Sequence, residues 1–352
     1  MATKYSEQIQ KTFVDNNPFG RKNFLINGNM DIWQRGDSFT SVSSSYCADR
    51  FYFSVPYSNA RATLTRSSDV PSVVQVGQKL NYSIKINVVV TNINVESSHL
   101  AHIVQKIEGF YSKPLIGNVA TFSFWVKSNK TGTYCVSVRY GSDEYSYVSE
   151  FTINSSNTWE KKVITLQLPD ASIGSWDFTN GTGLKIGICL MCGSSHQTTP
   201  GSWNAGNNFG TSNQVNLFDS SSNVFYTTGW QLEIGSVSSP LEFRPIAQEL
   251  ILCQRYYETG STAYIPCVMT IPTGGYVTIP MKVQKRAFAS SGVITIISSK
   301  LCLSGGTWYD TTSTVLSGND KVLIFTYYDT NHTYTVGGSY LSNGLWSVDV
   351  EI

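Results

Sequence analysis

The sequence predicts an all-β protein in which an antiparallel jelly-roll sandwich is followed by a smaller β domain, the two being joined by a short helix. At 352 residues, the chain is long for one sandwich and has room for two β domains, each able to bury a core. About ten segments before residue 235 alternate apolar and polar residues at sandwich spacing, with turn residues between most of them. No helical pattern interrupts them, which favours antiparallel pairing. The predicted strands are residues 50–56, 60–66, 80–90, 99–108, 119–127, 133–140, 146–153, 159–168, 183–192 and 223–234.

Alternation within two of these segments predicts which side chains face the core. In residues 119–127, Phe122 and Phe124 share one face, and Trp125 lies on the other, which is either a second buried face or an exposed one. Residues 229–235 show the period of a half-buried strand, and this strand closes the domain. The side chains predicted to share its inner face are Trp230, Leu232 and Ile234.

The period of the pattern changes at residues 245–258, where Ile246, Leu250, Cys253 and Tyr257 recur at helical intervals. Pro245 stands at a first-turn position, so we expect a helical junction. Strands then resume at residues 276–279, 293–297, 322–327 and 345–350. The predicted organisation is an N-terminal arm at 1–22 with a short helix at 5–13, a jelly roll at 23–244, the junction at 245–258, and a C-terminal β domain at 259–352.

Composition limits the classes of partner. Charged residues make up 14% of the chain, and 25 basic against 24 acidic residues give a net charge of +1. Without a basic stripe, neither nucleic acid nor a membrane surface is an expected partner. Residues 1–10 lack the apolar centre of a signal peptide, and the apolar runs are too short to span a bilayer, so we expect the protein to begin in a cytoplasm.

The seven cysteines are scattered among apolar neighbours and are not paired at small-domain spacing. We therefore expect buried free thiols and no disulfides. Cys189 and Cys192, with His196 nearby, have the spacing of a zinc or redox motif. A zinc site needs four convergent ligands, and on a regular strand these two thiols would face opposite sides of the sheet. We predict no metal site and no cofactor, with a structural calcium left open.

No catalytic constellation stands out in the sequence. The four histidines lack a nucleophile elbow beside them. A glycosidase needs two carboxyl groups, one with a raised pKa, and the adjacent Asp143 and Glu144 fit a solvated hairpin turn better. Residues 201–206 lack the Lys-Ser/Thr pair of a phosphate loop. We therefore expect no enzymatic activity.

Several short sequence blocks follow one another along the chain. Residues 23–36 read NFLINGNMDIWQRG and are followed by YCADRF at 46–51. Later blocks are GWQLEIG at 229–235, LEFRP at 241–245, EL at 249–250 and CQRYY at 253–257. If residues 32–36 form a strand, the Arg35 guanidinium can lie beside Trp33 while Gly36 permits a turn. A structural role for this strand is expected over ligand contact.

These blocks resemble those of bacteriophage tail fibre and appendage proteins built around a carbohydrate-binding-module-like jelly roll. The resemblance covers about two thirds of the chain and stops near residue 257. It implies a virion subunit assembled in the bacterial cytoplasm, usually a homotrimer, whose N-terminal arm docks on another virion protein. It also implies attachment to the host surface, for which a polysaccharide is the expected receptor. A structural or decorating protein of tail or head, without a receptor role, is the alternative, and a depolymerase is disfavoured.

Exposed aromatic rings are the remaining candidate chemistry, because a ring can stack on the apolar face of a sugar. Trp308 and Tyr309 lie between glycines and Asp310 in a predicted polar loop of the C-terminal domain. Trp203 lies in residues 193–222, a Gly, Ser and Asn-rich stretch too long for an ordinary connection. These three residues are the candidate carbohydrate contacts, against the alternative that each ring anchors its loop on the core. Whether the jelly roll or the distal domain meets the receptor stays open.

Overall fold

The computed structural model describes residues 22–261, 265–272, 274–286, 293–302, 308–310, 312–318, 322–328 and 339–351. The chain divides into two compact units between Pro245 and Ile246. The predicted N-terminal arm and its short helix lie outside the described residues, apart from Lys22. None of the helices in these ranges has the length and apolar character that a membrane span requires.

The first unit is built from strands, with two four-residue helices, α1 (Val73–Val76) and α2 (Gly109–Ser112). Its strands are β1 (Ser38–Val42), β2 (Ser44–Tyr46), β3 (Phe51–Ser54), β4 (Arg61–Ser67), β5 (Ser83–Val90), β6 (Leu100–Glu108), β7 (Val119–Ser128), β8 (Gly132–Tyr140), β9 (Tyr145–Ile153), β10 (Glu160–Gln167), β11 (Thr182–Cys192), β12 (Trp203–Ala205) and β13 (Val224–Ile234). Short 3₁₀ turns cover Lys113–Leu115, Ser194–His196 and Leu217–Asp219.

The strands form two sheets. The six-stranded sheet has the order β1-β4-β5-β13-β7-β10, and the seven-stranded sheet has the order β12-β9-β8-β11-β6-β3-β2. The strands within both sheets pair antiparallel. The antiparallel jelly-roll sandwich predicted from the alternating pattern is therefore confirmed.

One apolar core receives side chains from the inner faces of both sheets. Phe122 and Phe124 stack at 4.6 Å in it, and the Phe122 ring meets the fully buried Trp230 ring edge-on at 5.1 Å. Leu232 is also in the core and Ile234 packs against it, as predicted. Trp125, on the opposite face, is only 7% exposed, so the second face of this strand is buried at that point.

Residues 22–36 close the sandwich as irregular chain, so the strand predicted at residues 32–36 is wrong. Asn27 and Met30 have positive φ angles of 58° and 59°, and the first strand begins only at Ser38. The Asn27 amide donates to the carbonyls of Ile32 and Asp49 at 2.9 and 3.0 Å. Asparagine side chains that bond to nearby backbone in this way compete with a strand ladder.

The same segment is bound to β13. The Asn23 amide donates to the Trp230 carbonyl at 2.9 Å and accepts from the Leu232 amide at 3.0 Å. A Cβ at Gly28 would lie 2.1 Å from the Trp230 carbonyl oxygen, so only glycine fits there. The Arg35 guanidinium lies over the Tyr46 ring, 4.8 Å from its centroid. The blocks at residues 23–36 and 46–51 therefore have a structural role in the first unit.

The second unit begins with helix α3 (Ile246–Gln254), which ends earlier than the predicted junction because Tyr257 already pairs with Asp349 in a strand. Its eight-stranded sheet has the order β18-β17-β21-β15-β16-β20-β19, and β14 also pairs with β21. The strands are β14 (Tyr257–Ser261), β15 (Ile265–Ile271), β16 (Gly274–Pro280), β17 (Val293–Cys302), β18 (Trp308–Asp310), β19 (Thr312–Gly318), β20 (Val322–Tyr328) and β21 (Ser339–Asp349).

A buried ion pair lies inside the second unit. The Lys285 ammonium donates to the Glu258 carboxylate and to the Gln254 carbonyl. The two charged side chains are 1% and 0% exposed. Burial lowers the pKa of Lys285 even though Glu258 opposes that shift. The pair therefore ties the loop after β16 to the end of α3 and to β14.

Candidate functional site

Trp203 lies in the edge strand β12, opposite Tyr147 of β9, and not in a loop. Its indole nitrogen donates to the Gln167 carbonyl, in β10 of the other sheet, at 2.8 Å. Its ring packs on Tyr140 at 5.0 Å and on Tyr147 at 5.8 Å. These contacts anchor residues 193–222 on the core and bridge the two sheets at one edge.

Further rings continue this edge. Trp176 lies 4.1 Å from Tyr140 and stacks with Phe178 at 6.2 Å. Tyr140 is fully buried, and burial raises its pKa to about 12. Trp176, Tyr145 and Trp203 are only partly buried and pack against the core. The rings fill this edge of the sandwich, so packing explains the position of Trp203. Its role as a carbohydrate contact stays a prediction.

Trp308 and Tyr309 lie in strand β18, opposite Cys302 and Leu301 of β17. The polar loop predicted for them is therefore wrong: adjacent aromatic residues favour a strand, and here they form the end strand of the sheet. Their side chains lie outside what the structure describes. Their role as carbohydrate contacts stays a prediction.

A row of cations crosses the outer face of the seven-stranded sheet. Lys106 of β6 is directly opposite Lys185 of β11, and Lys185 is directly opposite Arg139 of β8. Directly opposite residues share a face, and the neighbouring Ile107 and Ile186 lie in the core, so these three residues point outward. We call Lys106, Lys185 and Arg139 the cation row.

One carboxylate, Asp143, meets two members of the row. It accepts from Lys185 Nζ at 2.6 Å and from Arg139 Nη1 at 3.0 Å. The sequence suggested that Asp143 only solvates a hairpin turn. In the structure Asp143 also pairs with two cations of the row. Lys106 forms no ion pair with a carboxylate of the described chain. Burial and, after it, the nearby charges of Lys185, Arg50 and Arg139 together lower the pKa of Lys106 to about 8.

Two tyrosines flank the Lys106 end of the row. Tyr46 of β2 and Tyr52 of β3 are opposite each other, with ring centroids 4.9 Å apart. Both are partly exposed, and the Lys106 ammonium lies 5.8 Å from the Tyr52 centroid. We call Tyr46 and Tyr52 the tyrosine pair. Rings, ammonium groups and a carboxylate thus share one sheet face.

The Arg139 end of the row is covered by residues 193–222. The Phe209 ring lies 3.9 Å from the Arg139 guanidinium carbon, and Asn207 accepts from Arg139 Nη1 at 2.8 Å. Arg139 is 4% exposed, and its Nε has no hydrogen-bond partner within the described chain. Lys106 and the tyrosine pair stay partly exposed, so the open part of the site is at their end.

Cysteines pack beneath this loop. Cys135, Cys189 and Cys192 belong to one small apolar cluster with Phe209. The prediction that Cys189 and Cys192 face opposite sides is wrong, because a bulge between Cys189 and Met191 shifts the alternation. Burial raises the pKa of Cys135 to about 11. Burial also raises the pKa of the Cys189 thiol.

The cysteines whose side chains are described are free and buried. Within the described residues, no group of three histidine, cysteine, aspartate or glutamate side chains could hold a metal ion.

Sequence reasoning missed the cation row and the tyrosine pair. Lys106, Lys185 and Arg139 each occupy an outward position of a predicted strand, which was the available signal. Their adjacency depends on the pairing β6-β11-β8, between segments far apart in the chain.

No family model matches the chain, and no curated protein matches it in sequence. Solved structures similar to the sandwich include the enzymatically active domain of tailspike protein 4 of bacteriophage CBA120, at 13% identity and a TM-score of 0.32, over 60% of this chain and 21% of that one. A CBM4 module is similar at 14% identity and a TM-score of 0.32, over 59% and 98% of the two chains. A family 11 carbohydrate-binding module from Clostridium thermocellum has 13% identity and a TM-score of 0.29, over 58% and 94%.

This chain thus spans about a fifth of the length of that tailspike domain. At these identities and TM-scores, the likeness supports no conclusion about this chain.

Proposed function

We propose that this chain is a non-enzymatic subunit of a phage tail fibre or appendage that attaches the particle to its host by binding a surface glycan. The ordered sequence blocks between residues 23 and 257 support the virion role. In the structure the first of these blocks is bound to the sandwich, through contacts such as those of Asn23 and Asn27. They suit a scaffold that presents a binding surface.

The observation that carries glycan binding is the tyrosine pair beside Lys106 on an outer sheet face. A sugar ring has apolar C–H faces that stack on aromatic rings and hydroxyl groups that need hydrogen-bond partners. The partly exposed rings of Tyr46 and Tyr52 supply the first, and Lys106 and Lys185 supply donors. Both kinds of contact lie on rigid strands.

The carboxylate at this site supports binding without hydrolysis. Glycoside hydrolysis commonly needs a second carboxyl group facing the first across the scissile bond. Asp143 is held by Lys185 and Arg139, and the adjacent Glu144 accepts from the Ser175 amide and hydroxyl at 2.8 and 3.1 Å. Both carboxylates are thus engaged by groups of this chain.

The test is binding of the full chain to an array of bacterial surface glycans, with Tyr52→Ala compared against Tyr226→Ala. Tyr226 is a matched control, because it lies on the six-stranded sheet, is partly exposed and has Lys85 5.8 Å from its centroid, as Tyr52 has Lys106. We expect Tyr52→Ala to lose binding and Tyr226→Ala to keep it, with both variants folded by thermal melting. A parent protein that binds no glycan, or equal loss in both variants, would contradict the proposal.

A further inference from the structure

The cation row brings like charges together at a cost to the fold. Side chains directly opposite on antiparallel strands have Cβ atoms about 4.5–5.5 Å apart, and like charges in such positions are destabilising. Lys106, Lys185 and Arg139 occupy three such positions in succession across β6, β11 and β8. A sheet that needed only a polar surface there would be more stable with neutral side chains.

The row is only partly neutralised. Asp143 bonds to Lys185 and Arg139, which leaves Lys106 with the Tyr52 ring as its charge contact within the described chain. The open end of the row therefore carries excess positive charge next to the tyrosine pair.

The covered end of the row is closed to a ligand, because Arg139 is buried against the Phe209 ring. The excess positive charge at the open end favours an acceptor with negative charge.

We infer that the glycan recognised here is anionic, with the carboxylate or phosphate group of an acidic sugar held by Lys106 and Lys185 while a neighbouring ring stacks on the tyrosine pair. This inference rests on the proposed glycan-binding function and specifies its ligand class. Charge-assisted hydrogen bonds to a carboxylate or phosphate are stronger than those to sugar hydroxyls. Such an anion would also relieve the repulsion within the row, so the lowered pKa of Lys106 would rise on binding.

The experiment uses the full chain and pairs each acidic probe with a neutral counterpart. Carboxylated probes are polygalacturonate and polysialic acid, each beside its carboxyl-reduced form, and the phosphorylated probe is phosphomannan beside mannan. We expect at least one acidic polymer to bind more tightly than its counterpart and to weaken as salt is raised. The carboxylated and phosphorylated arms then show which anion is preferred.

The test variant is Lys106→Gln with Lys185→Gln, which removes two charges and keeps hydrogen-bonding groups. The control is Lys85→Gln, a lysine stacked on a tyrosine of the opposite sheet. We expect the double variant to bind the acidic polymer roughly tenfold more weakly or worse, and the control to bind as the parent does. Thermal melting must show all three proteins folded.

Equal binding of acidic and neutral polymers, or full binding by the double variant, overturns the inference. If Tyr52→Ala still abolishes glycan binding in that case, the proposed function stands and only the ligand class was wrong. If the parent protein binds no glycan on the array, the proposed function fails and the inference fails with it.

Discussion

Replacing Lys106 by glutamine should stabilise the sandwich at neutral pH. Most lysine substitutions on a sheet surface change the free energy of unfolding little. Lys106 differs because it is partly buried among cations that hold its pKa down. Its removal abolishes that repulsion while its contact with the Tyr52 ring, at 5.8 Å, is a weak loss.

The size of the effect follows from the pKa. A fall from 10.5 to about 8 at about 1.4 kcal/mol per unit corresponds to at most about 3.5 kcal/mol. Part of the ammonium meets solvent, and part of the shift is desolvation that glutamine shares to a lesser degree. We therefore expect a gain of about 1–2 kcal/mol in the free energy of unfolding at pH 7.

The gain should depend on pH in a defined way. Below about pH 8 the ammonium is charged in both folded and unfolded chains, so the repulsion destabilises the parent fully. Between about pH 8 and 10.5 the folded chain has lost the proton that the unfolded chain keeps, so the parent gains stability as pH rises. The variant lacks this titration, so its advantage should shrink across that window. The charged groups that act on this ammonium are Lys185, Arg50, Arg139 and Asp143.

Urea denaturation at about pH 7 and about pH 9.5 measures the gain in the free energy of unfolding and its change with pH. Hydrogen exchange of the sandwich strands separates the first unit's unfolding from that of the second. Chain concentration is held constant because assembly would shift the transition. The matched control is Lys85→Gln on the other sheet. A variant less stable than the parent at pH 7, or an advantage that grows with pH, would refute the reasoning.

The other predictions concern the second unit, the thiols and assembly. Lys285→Met should destabilise the second unit by about 3–5 kcal/mol, because Glu258 would stay buried without its partner. An unchanged urea midpoint for that unit would contradict a stabilising role for this ion pair. The thiol of Cys189 should react with a thiol reagent only on unfolding, and a strong zinc chelator should leave the melting temperature unchanged; rapid labelling of folded protein would contradict this. Alanine at both Trp308 and Tyr309 should reduce attachment to host cells while leaving fold and size intact, and full attachment would remove these rings as contacts. Light scattering should report about three chains per particle, and a monodisperse monomer would exclude a trimer.

The sequence predicted the sandwich because its core residues repeat with a local period. Phe122 and Phe124, or Trp230 and Leu232, alternate with polar neighbours, and that pattern needs no knowledge of what each strand pairs with. Irregular features were not predictable in the same way. The bulge after Cys189 changes the alternation by one residue without a sequence mark.

The candidate site was predicted least well, because it depends on strand register. Lys106, Lys185 and Arg139 look like ordinary outward residues until β11 is placed between β6 and β8. Conversely, Trp203 looked like an exposed ring in a polar loop. Its contacts with Tyr140 and the Gln167 carbonyl come from β8, two strands away, and from the opposite sheet. The position of the cation row and the environment of Trp203 both depend on contacts between segments far apart in the sequence.

The most direct test of glycan binding at this surface is a structure of the full chain with the tightest-binding glycan from the array. Our account predicts a sugar ring stacked on Tyr46 or Tyr52, with the acidic group of that sugar or its neighbour at Lys106. A glycan bound at the Trp203 edge, on the six-stranded sheet or on the second unit, with the tyrosine pair unoccupied, would contradict it.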